Sequence, residues 1–415
     1  MKIIRIVVIL FLVAISQPWA QAQTRTGAQN LVLGTREDSL ASGAVENKTV
    51  ISGYGSVAYQ NDLAWKRSKV SLDRAVIFVG HQFNRKFSFF SELEVENALV
   101  AGDEAGTGKG EISMEQAFLR FNLNRRQYLI AGLFTPRIGI TNENHLPVNF
   151  NGVERPMVEQ MIIPTTWREL GVGLYGSMSR FPLNYSIAVV NGLNSAKFEH
   201  GDGLRSGMAE GSVANANNLA ITAALQYPVN DFRFQVSGYA GGTVGLTPRG
   251  ADSLNLESGV MGTPVYLGEG DVQWARDAWS AKALGVYVSY PKASSINSAY
   301  ASNVPQEMWG AYAELGYDWL FKGGSGKQLI SFVRAEKYDL NSKIPSNGIT
   351  DGTLNQSNLI AGFTYMPIPN IAIKADVRVL HTGNQNPELV INPAPNQAAY
   401  KPNVQFLNIG FGYAF

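Results

Sequence analysis

The sequence predicts an all-β protein: a 16-stranded antiparallel transmembrane β-barrel with the long third external loop folded into the lumen. Three observations carry this expectation. Runs of about 10–13 residues alternate between apolar and small or polar side chains, and a tilted strand needs roughly 9–11 residues to cross a bilayer. Only 16% of the 415 residues are charged, and the mean hydropathy is −0.06. That mean is too low for a bundle of spanning helices, each of which needs roughly 20 apolar residues. Short turns and long polar loops alternate along the chain.

The N-terminus reads as an export signal. Met1 to Arg5 carries two basic residues, Ile6 to Ser16 is a short apolar run, and Ala20-Gln21-Ala22 is a small-residue exit. Residues 1–22 are therefore expected to be a cleaved signal peptide. Residues 23–48 are expected to form a polar periplasmic lead, and 49–415 the barrel. Cysteine is absent, which excludes a disulfide framework, a thiolate nucleophile and a lipidated N-terminal cysteine. Lys plus Arg (34) nearly balances Asp plus Glu (33), so a nucleic-acid partner gains no support.

The last strand shows the pattern most clearly. Leu407, Ile409, Phe411, Tyr413 and Phe415 are apolar, and Asn408, Gly410, Gly412 and Ala414 lie between them. One greasy face and one small face suit a wall between lipid and water. The same alternation runs through Gln116–Leu123, Asn218–Leu225 and Ile371–Val379. A soluble sandwich also alternates, but its strands average about 5–6 residues.

Seven short turns are expected, at 84–85, 124–126, 179–182, 229–231, 276–278, 322–326 and 367–369. Eight long connections are expected at 61–69, 99–110, 138–165, 193–216, 244–263, 291–305, 341–353 and 383–402. Together they join sixteen strands and place both chain ends on the periplasmic side. The strand at 264–275 alternates least and is required by parity. Trp65, Trp167 and Trp309 fall near expected outer strand ends. Trp274, Trp279 and Trp319 fall near inner ends, as in the aromatic girdles of barrels.

The face opposite the apolar one would line water. It carries Arg74, Glu92, Glu94, Glu96, Arg120, Glu169, Arg233, Gln235, Arg334, Glu336, Lys374, Asp376 and Arg378. A basic side chain facing lipid at the midplane would cost roughly 2–4 kcal/mol. Sixteen strands enclose a space too wide for side chains to fill, so something must narrow it. The connection 138–165 is the longest, with 28 residues, and loops beyond about 12–15 residues usually have a function or are disordered. It holds Pro147, Pro156, Met157, Met161, Ile162, Ile163 and Pro164, which need something to pack against. It also carries Glu143, His145, Glu154, Arg155 and Glu159, with Arg137 and Arg168 flanking it. This loop is expected to form the constriction.

Several short motifs, in order, resemble the phosphate-selective porin O and P family. They are Ala131-Gly132-Leu133-Phe134-Thr135-Pro136-Arg137-Ile138-Gly139, Glu154-Arg155-Pro156 and Arg168-Glu169-Leu170-Gly171. Arg74 in the second strand, Arg334-Ala335-Glu336 and Gly362–Pro367 through Lys374–Arg378 are also similar. The resemblance implies a sixteen-stranded outer-membrane porin, usually trimeric, with its third loop inside. It also implies that assembly machinery reads the terminal Phe415. The third loop holds one basic residue, Arg155, against Glu143, Glu154 and Glu159. That departs from the clustered cations of the phosphate-selective members. The expected function is therefore passive diffusion of small hydrophilic solutes or ions, in contact with outer-membrane lipid and with no cofactor.

Other readings remain open at this point. A substrate-specific channel for phosphate or another anion, a sugar or a hydrophobic compound would use inward residues such as Phe90, Phe118, Tyr239 and Phe406. An outer-membrane hydrolase would need a histidine at the outer rim, and none of His81, His145, His200 and His381 lies in a catalytic motif. A plugged structural barrel is a further alternative. Gly106-Thr107-Gly108-Lys109-Gly110 lacks the spacing and trailing hydroxyl of a phosphate-binding loop. The four histidines show no spacing that marks a metal site.

Overall fold

The computed structural model describes residues 24–34, 47–96, 111–324, 326–390 and 400–415. The expected signal peptide and the loop expected at 99–110 lie outside the described residues. The first eight strands are β1 (Lys48–Asp62), β2 (Arg67–Gln82), β3 (Phe87–Glu96), β4 (Glu111–Asn122), β5 (Gln127–Phe134), β6 (Glu169–Ser177), β7 (Asn184–Asn191) and β8 (Leu219–Val229). The second eight are β9 (Phe232–Gly242), β10 (Pro264–Arg276), β11 (Trp279–Ser289), β12 (Glu307–Asp318), β13 (Gln328–Lys343), β14 (Asn355–Ile368), β15 (Ile371–Thr382) and β16 (Asn403–Ala414). Each strand pairs antiparallel with its neighbours in sequence, and β1 pairs with β16, so the sheet closes into a cylinder. This is the sixteen-stranded architecture that the alternation predicts, the weakly patterned β10 included.

The two faces separate by chemistry. On β15 Ile373, Val377 and Val379 are exposed, whereas Ala372, Lys374, Asp376 and Arg378 are buried. On β16 Ile409 and Phe411 are exposed and Asn408 is buried. Val70, Ile77, Leu119, Val172, Ile221, Val236, Leu359 and Phe363 extend the exposed apolar belt around the cylinder. A water-soluble monomer rarely carries so large an apolar patch, and lipid removes the cost of exposing it. Backbone hydrogen bonds are satisfied between strands and no edge remains, as hydrocarbon requires. Among the described residues no helix is long and apolar enough to cross a membrane.

Three expectations need correction or extension. The first outer connection is not long: β1 reaches Asp62 and β2 begins at Arg67. Polar residues end the alternation near Gln60, but the backbone ladder continues through Gln60↔Lys69 and Asp62↔Arg67. Trp167 is not in an outward girdle. It is fully buried, 4.8 Å from the Tyr239 ring, and donates to Glu169 Oε1 at 2.7 Å. Trp279, Trp309 and Trp319 do face outward. Finally, part of the lead is structured. Helix α1 (Gly27–Leu33) seats buried Ala28 and Val32 against the inward face of β1 and β2. The Ala28 amide donates to Ser52 Oγ at 3.0 Å. A side chain at Gly80 would collide with the Ala28 carbonyl, 2.9 Å from the position of a Cβ. Among the described residues three other α-helices sit in connections: α2 (Met157–Met161), α3 (Pro248–Ser253) and α4 (Ala293–Tyr300).

Candidate functional site in the barrel interior

The connection between β5 and β6, residues 135–168, meets inward faces from opposite sides of the cylinder. The Val153 amide donates to Asp376 Oδ2 on β15 at 2.7 Å, and Lys374 Nζ donates to the Phe150 carbonyl at 2.7 Å. Arg334 on β13 donates to the carbonyls of Asn151 and Glu154, each at 3.2 Å. Arg378 pairs with Glu154 at 2.9 Å, and Glu336 accepts from the Val158 amide at 3.2 Å. On β9, Gln235 donates to the Gly139 carbonyl at 3.1 Å. Apolar contacts follow the same path. Inward glycines admit the segment: a Cβ on Gly412 would lie 2.4 Å from Pro147, and one on Gly310 would lie 2.7 Å from Ile162. The prolines and isoleucines that needed a packing surface find it here.

Most candidate charges are paired. Arg334 bridges Glu314 at 3.1 Å and Glu336 at 2.7 Å, and Lys282 joins Glu314 at 3.3 Å. Arg74 lies 3.5 Å from both Glu94 and Glu96. Arg137 pairs with Glu143 at 2.8 Å and lies over the Tyr175 ring. Arg168 contacts Glu210 at 3.0 Å. Buried Glu169 accepts from Trp167 and from Asn191. Arg155 donates to the His145 carbonyl at 3.4 Å. Arg120 sits apart, toward the short-turn end, where it donates to the Val32 carbonyl of α1 and stacks on Tyr128.

One residue in the interior escaped the sequence pattern. Glu92 and Leu93 of β3 face Gln116 and Met114 of β4, so Glu115 is the extra residue of a bulge. A bulge re-aims its side chain. Glu115 is fully buried beside Gln116, although strict alternation would turn one of the two outward. His145 Nε2 lies 3.0 Å from Glu92 Oε1 and 3.4 Å from Glu115 Oε2. Burial works against protonating His145, but the carboxylates of Glu92 and Glu115 outweigh it and push its pKa up to about 9.

One cavity, of about 400 Å³, borders Lys282 and Glu314, and two more border the other charges. One of about 260 Å³ is lined by Tyr54, Arg74, Glu96, His145, Glu154 and Arg155, among others. Another, of about 490 Å³, lies toward the short turns and is lined by Arg25, Arg85, Arg120, Arg125, Arg126 and Arg137, with no Asp or Glu among the described residues. Of the four inward aromatics expected, three are packed, whereas Phe406 is half-buried with Arg378 over its ring, and Tyr128 and Tyr175 line the larger cavity. Phe90 and Phe118 are buried in one run with Phe78, and Tyr239 is covered by Trp167.

No protein-family model matches the chain. An uncharacterised protein of Aquifex aeolicus is 29% identical, over 80% of this chain and 76% of its own length. Among solved structures, the fold is similar to the Salmonella typhi OmpF complex with daunomycin, with a TM-score of 0.54 and 13% identity. That match covers 89% of this chain and 98% of the other. An anion-selective porin from Comamonas acidovorans matches at 0.52 and 10% identity, and a loop-deletion mutant of OmpT, an outer-membrane protein of Vibrio cholerae, at 0.51 and 8%. Both cover 89% of this chain and all of the other. At such identities the likeness is one of fold: the chain shares the closed barrel of outer-membrane porins.

Proposed function

We propose that the chain is a bacterial outer-membrane porin, exported by cleavage after residue 22, that lets small hydrophilic solutes or ions diffuse passively. Segment 138–165 folds into the lumen and forms its constriction. The observation that supports this most is the fastening of that segment to inward side chains of β9, β12, β13 and β15 inside a closed sixteen-stranded wall. A cylinder of this width is otherwise an open aqueous channel. Arg74, Glu92, Glu94, Arg120, Arg137, Glu143, Glu154, Arg155, Arg168, Glu169, Arg334, Glu336, Lys374, Asp376 and Arg378 then line or brace the path. Their mutual pairing leaves little net field at the neck and suits weak ion preference.

The arginine-lined cavity favours anions at the periplasmic mouth, so the preference leans toward anions without demanding phosphate selectivity. The packing of Phe90, Phe118 and Tyr239 withdraws three of the four inward aromatics that would serve a sugar or a greasy ligand. The protein acts as a channel rather than as an enzyme and works as a homotrimer, with Phe415 at the strand end offered to the assembly machinery.

Planar-bilayer recording of the purified barrel under a salt gradient tests this, with phosphate and a small sugar added in turn. Ohmic steps with a modest anion preference and no block support the reading. Block by micromolar phosphate would replace it with a phosphate-specific channel. No conductance would overturn it.

A further inference from the structure

We propose that Glu92, Glu115 and His145 form a binding site for a divalent first-row transition metal, zinc above all. The site clamps the segment after β5 to the wall formed by β3 and β4. It stands on these residues alone and does not depend on the channel reading.

One ligand atom from each of the three residues lies within 4.8 Å of the other two. The edge of a tetrahedron with bonds of about 2.1 Å is roughly 3.4 Å. The His145 Nε2 separations of 3.0 Å from Glu92 and 3.4 Å from Glu115 match such edges. All three side chains are buried, Glu92 and Glu115 completely.

Glu115 carries the case beyond a cluster of acids. Neither of its carboxylate oxygens accepts a hydrogen bond of good geometry. Its nearest cations are His145 and Arg168, the latter at 3.7 Å. The bulge that turns it inward spends a strand residue to place an acid where alternation would put none. A fully buried carboxylate met only by cations at 3.4 and 3.7 Å keeps most of its desolvation cost, which a metal bound directly to it would offset.

The surroundings have the form of a second shell. His145 Nδ1 lies 3.2 Å from the Asn142 carbonyl. With Nδ1–H donating there, Nε2 is the nitrogen aimed at the two acids, and a metal that displaces its proton meets a lone pair held as in metal-bound histidines. Gln116 Nε2 donates to Glu92 Oε2 at 2.6 Å and leaves Oε1 for the metal. Thr135 Oγ1 in turn contacts Gln116 Oε1 at 3.4 Å. The adjoining 260 Å³ cavity, which His145 and Tyr54 line, can supply a water as fourth ligand and a route of entry. One imidazole with two carboxylates suits zinc better than magnesium or calcium, which prefer all-oxygen shells.

The test is metal binding by the full-length barrel in detergent, stripped with chelator and then equilibrated with Zn²⁺ alone. The expected result is one zinc per chain. H145Q and E115Q should each lose at least tenfold in affinity, while H200N, which alters a histidine in another loop, keeps full stoichiometry. Heat-modifiable gel mobility shows whether each variant is folded. If a variant does not fold, zinc-edge absorption of the wild type decides, and a first shell of one imidazole and oxygens is expected. No zinc retained by the wild type, equal retention by folded H145Q and E115Q, or a shell without imidazole would overturn the proposal. His145 would then be only the protonated partner of two acids.

Discussion

Tyr312 on β12 donates its phenolic hydrogen to Glu159 Oε1 at 2.6 Å, tying α2 to the barrel wall. The other carboxylate oxygen of Glu159 accepts from the Ile140 and Thr141 amides, at 2.9 and 2.7 Å, and from Thr141 Oγ1 at 2.8 Å. One fully buried acid thus holds both ends of the segment and the wall together.

Replacing Glu159 with Ala should therefore be far worse than removing its partner on β12. E159A strands several buried donors, each costing about 1–3 kcal/mol, whereas Y312F strands the single oxygen Glu159 Oε1, a hydrogen bond to a charged group worth about 1.5–3 kcal/mol. The midpoint of heat-induced gel-mobility change should fall furthest in E159A and by less in Y312F. Equal midpoints for the two variants would contradict the hub.

Arg334 stands between Glu314 and Glu336, with all three side chains nearly inaccessible. R334M should destabilise the barrel by about 3–5 kcal/mol, because it leaves buried Glu336 without its counter-charge, whereas Glu314 keeps Lys282. R334K should recover part of that loss, since a single ammonium cannot reproduce the guanidinium fork. Denaturant midpoints in detergent measure both effects.

Gly412 and Gly285 form a matched pair for a packing test. A Cβ on Gly412 would overlap Pro147, whereas one on exposed Gly285 meets nothing within 4 Å. G412A should displace the segment and change single-channel conductance, while G285A should leave it within experimental scatter.

Acid should loosen the outer face at one identifiable place. Asp351, between β13 and β14, lies 2.9 Å from His200 Nε2 and accepts from the Thr353 hydroxyl at 2.6 Å and amide at 2.9 Å. Burial raises its pKa, but the Thr353 and His200 hydrogen bonds outweigh it and hold the carboxyl below its usual value. A depressed carboxyl stabilises the fold above its unfolded pKa of about 3.9, and that stabilisation is lost as pH falls through the folded value. Hydrogen exchange in 193–216 and 344–354 should accelerate below about pH 4, and D351N should remove the pH step. An unchanged step in D351N would rule out this pair as its cause.

How far the sequence could be read depended on what lipid enforces. Hydrocarbon requires an apolar side chain at every second position, so β15 and β16 declare themselves by alternation alone. β10 is weaker because Gly268 and Gly270 occupy its outward face. Alternation assigns a side chain to a face but does not name what lies opposite. Val153 and Asp376 are separated by 223 residues, and no local pattern joins them. Glu115 was hidden for a different reason: a bulge reverses parity within its strand, so strict alternation misplaces one neighbour. Trp167 was misread because an aromatic at a strand end suits either a lipid interface or a buried contact with Tyr239. The polar lead concealed Ala28 and Val32, which are four apart and share one helix face.

The seam between the first and last strands governs the order in which the molecule can be built. Tyr54 pairs with Ala414, and the Phe415 amide donates to the Gly53 carbonyl at 2.9 Å. The wall therefore cannot be completed until β16 has been delivered. Contacts this distant along the chain are slow to form, because loop-closure entropy must be met first. Both α1 and the segment after β5 lie against inward side chains, which an open sheet would present to them before β16 completes the wall. Opening the cylinder at this seam would therefore free both without breaking any other strand pair.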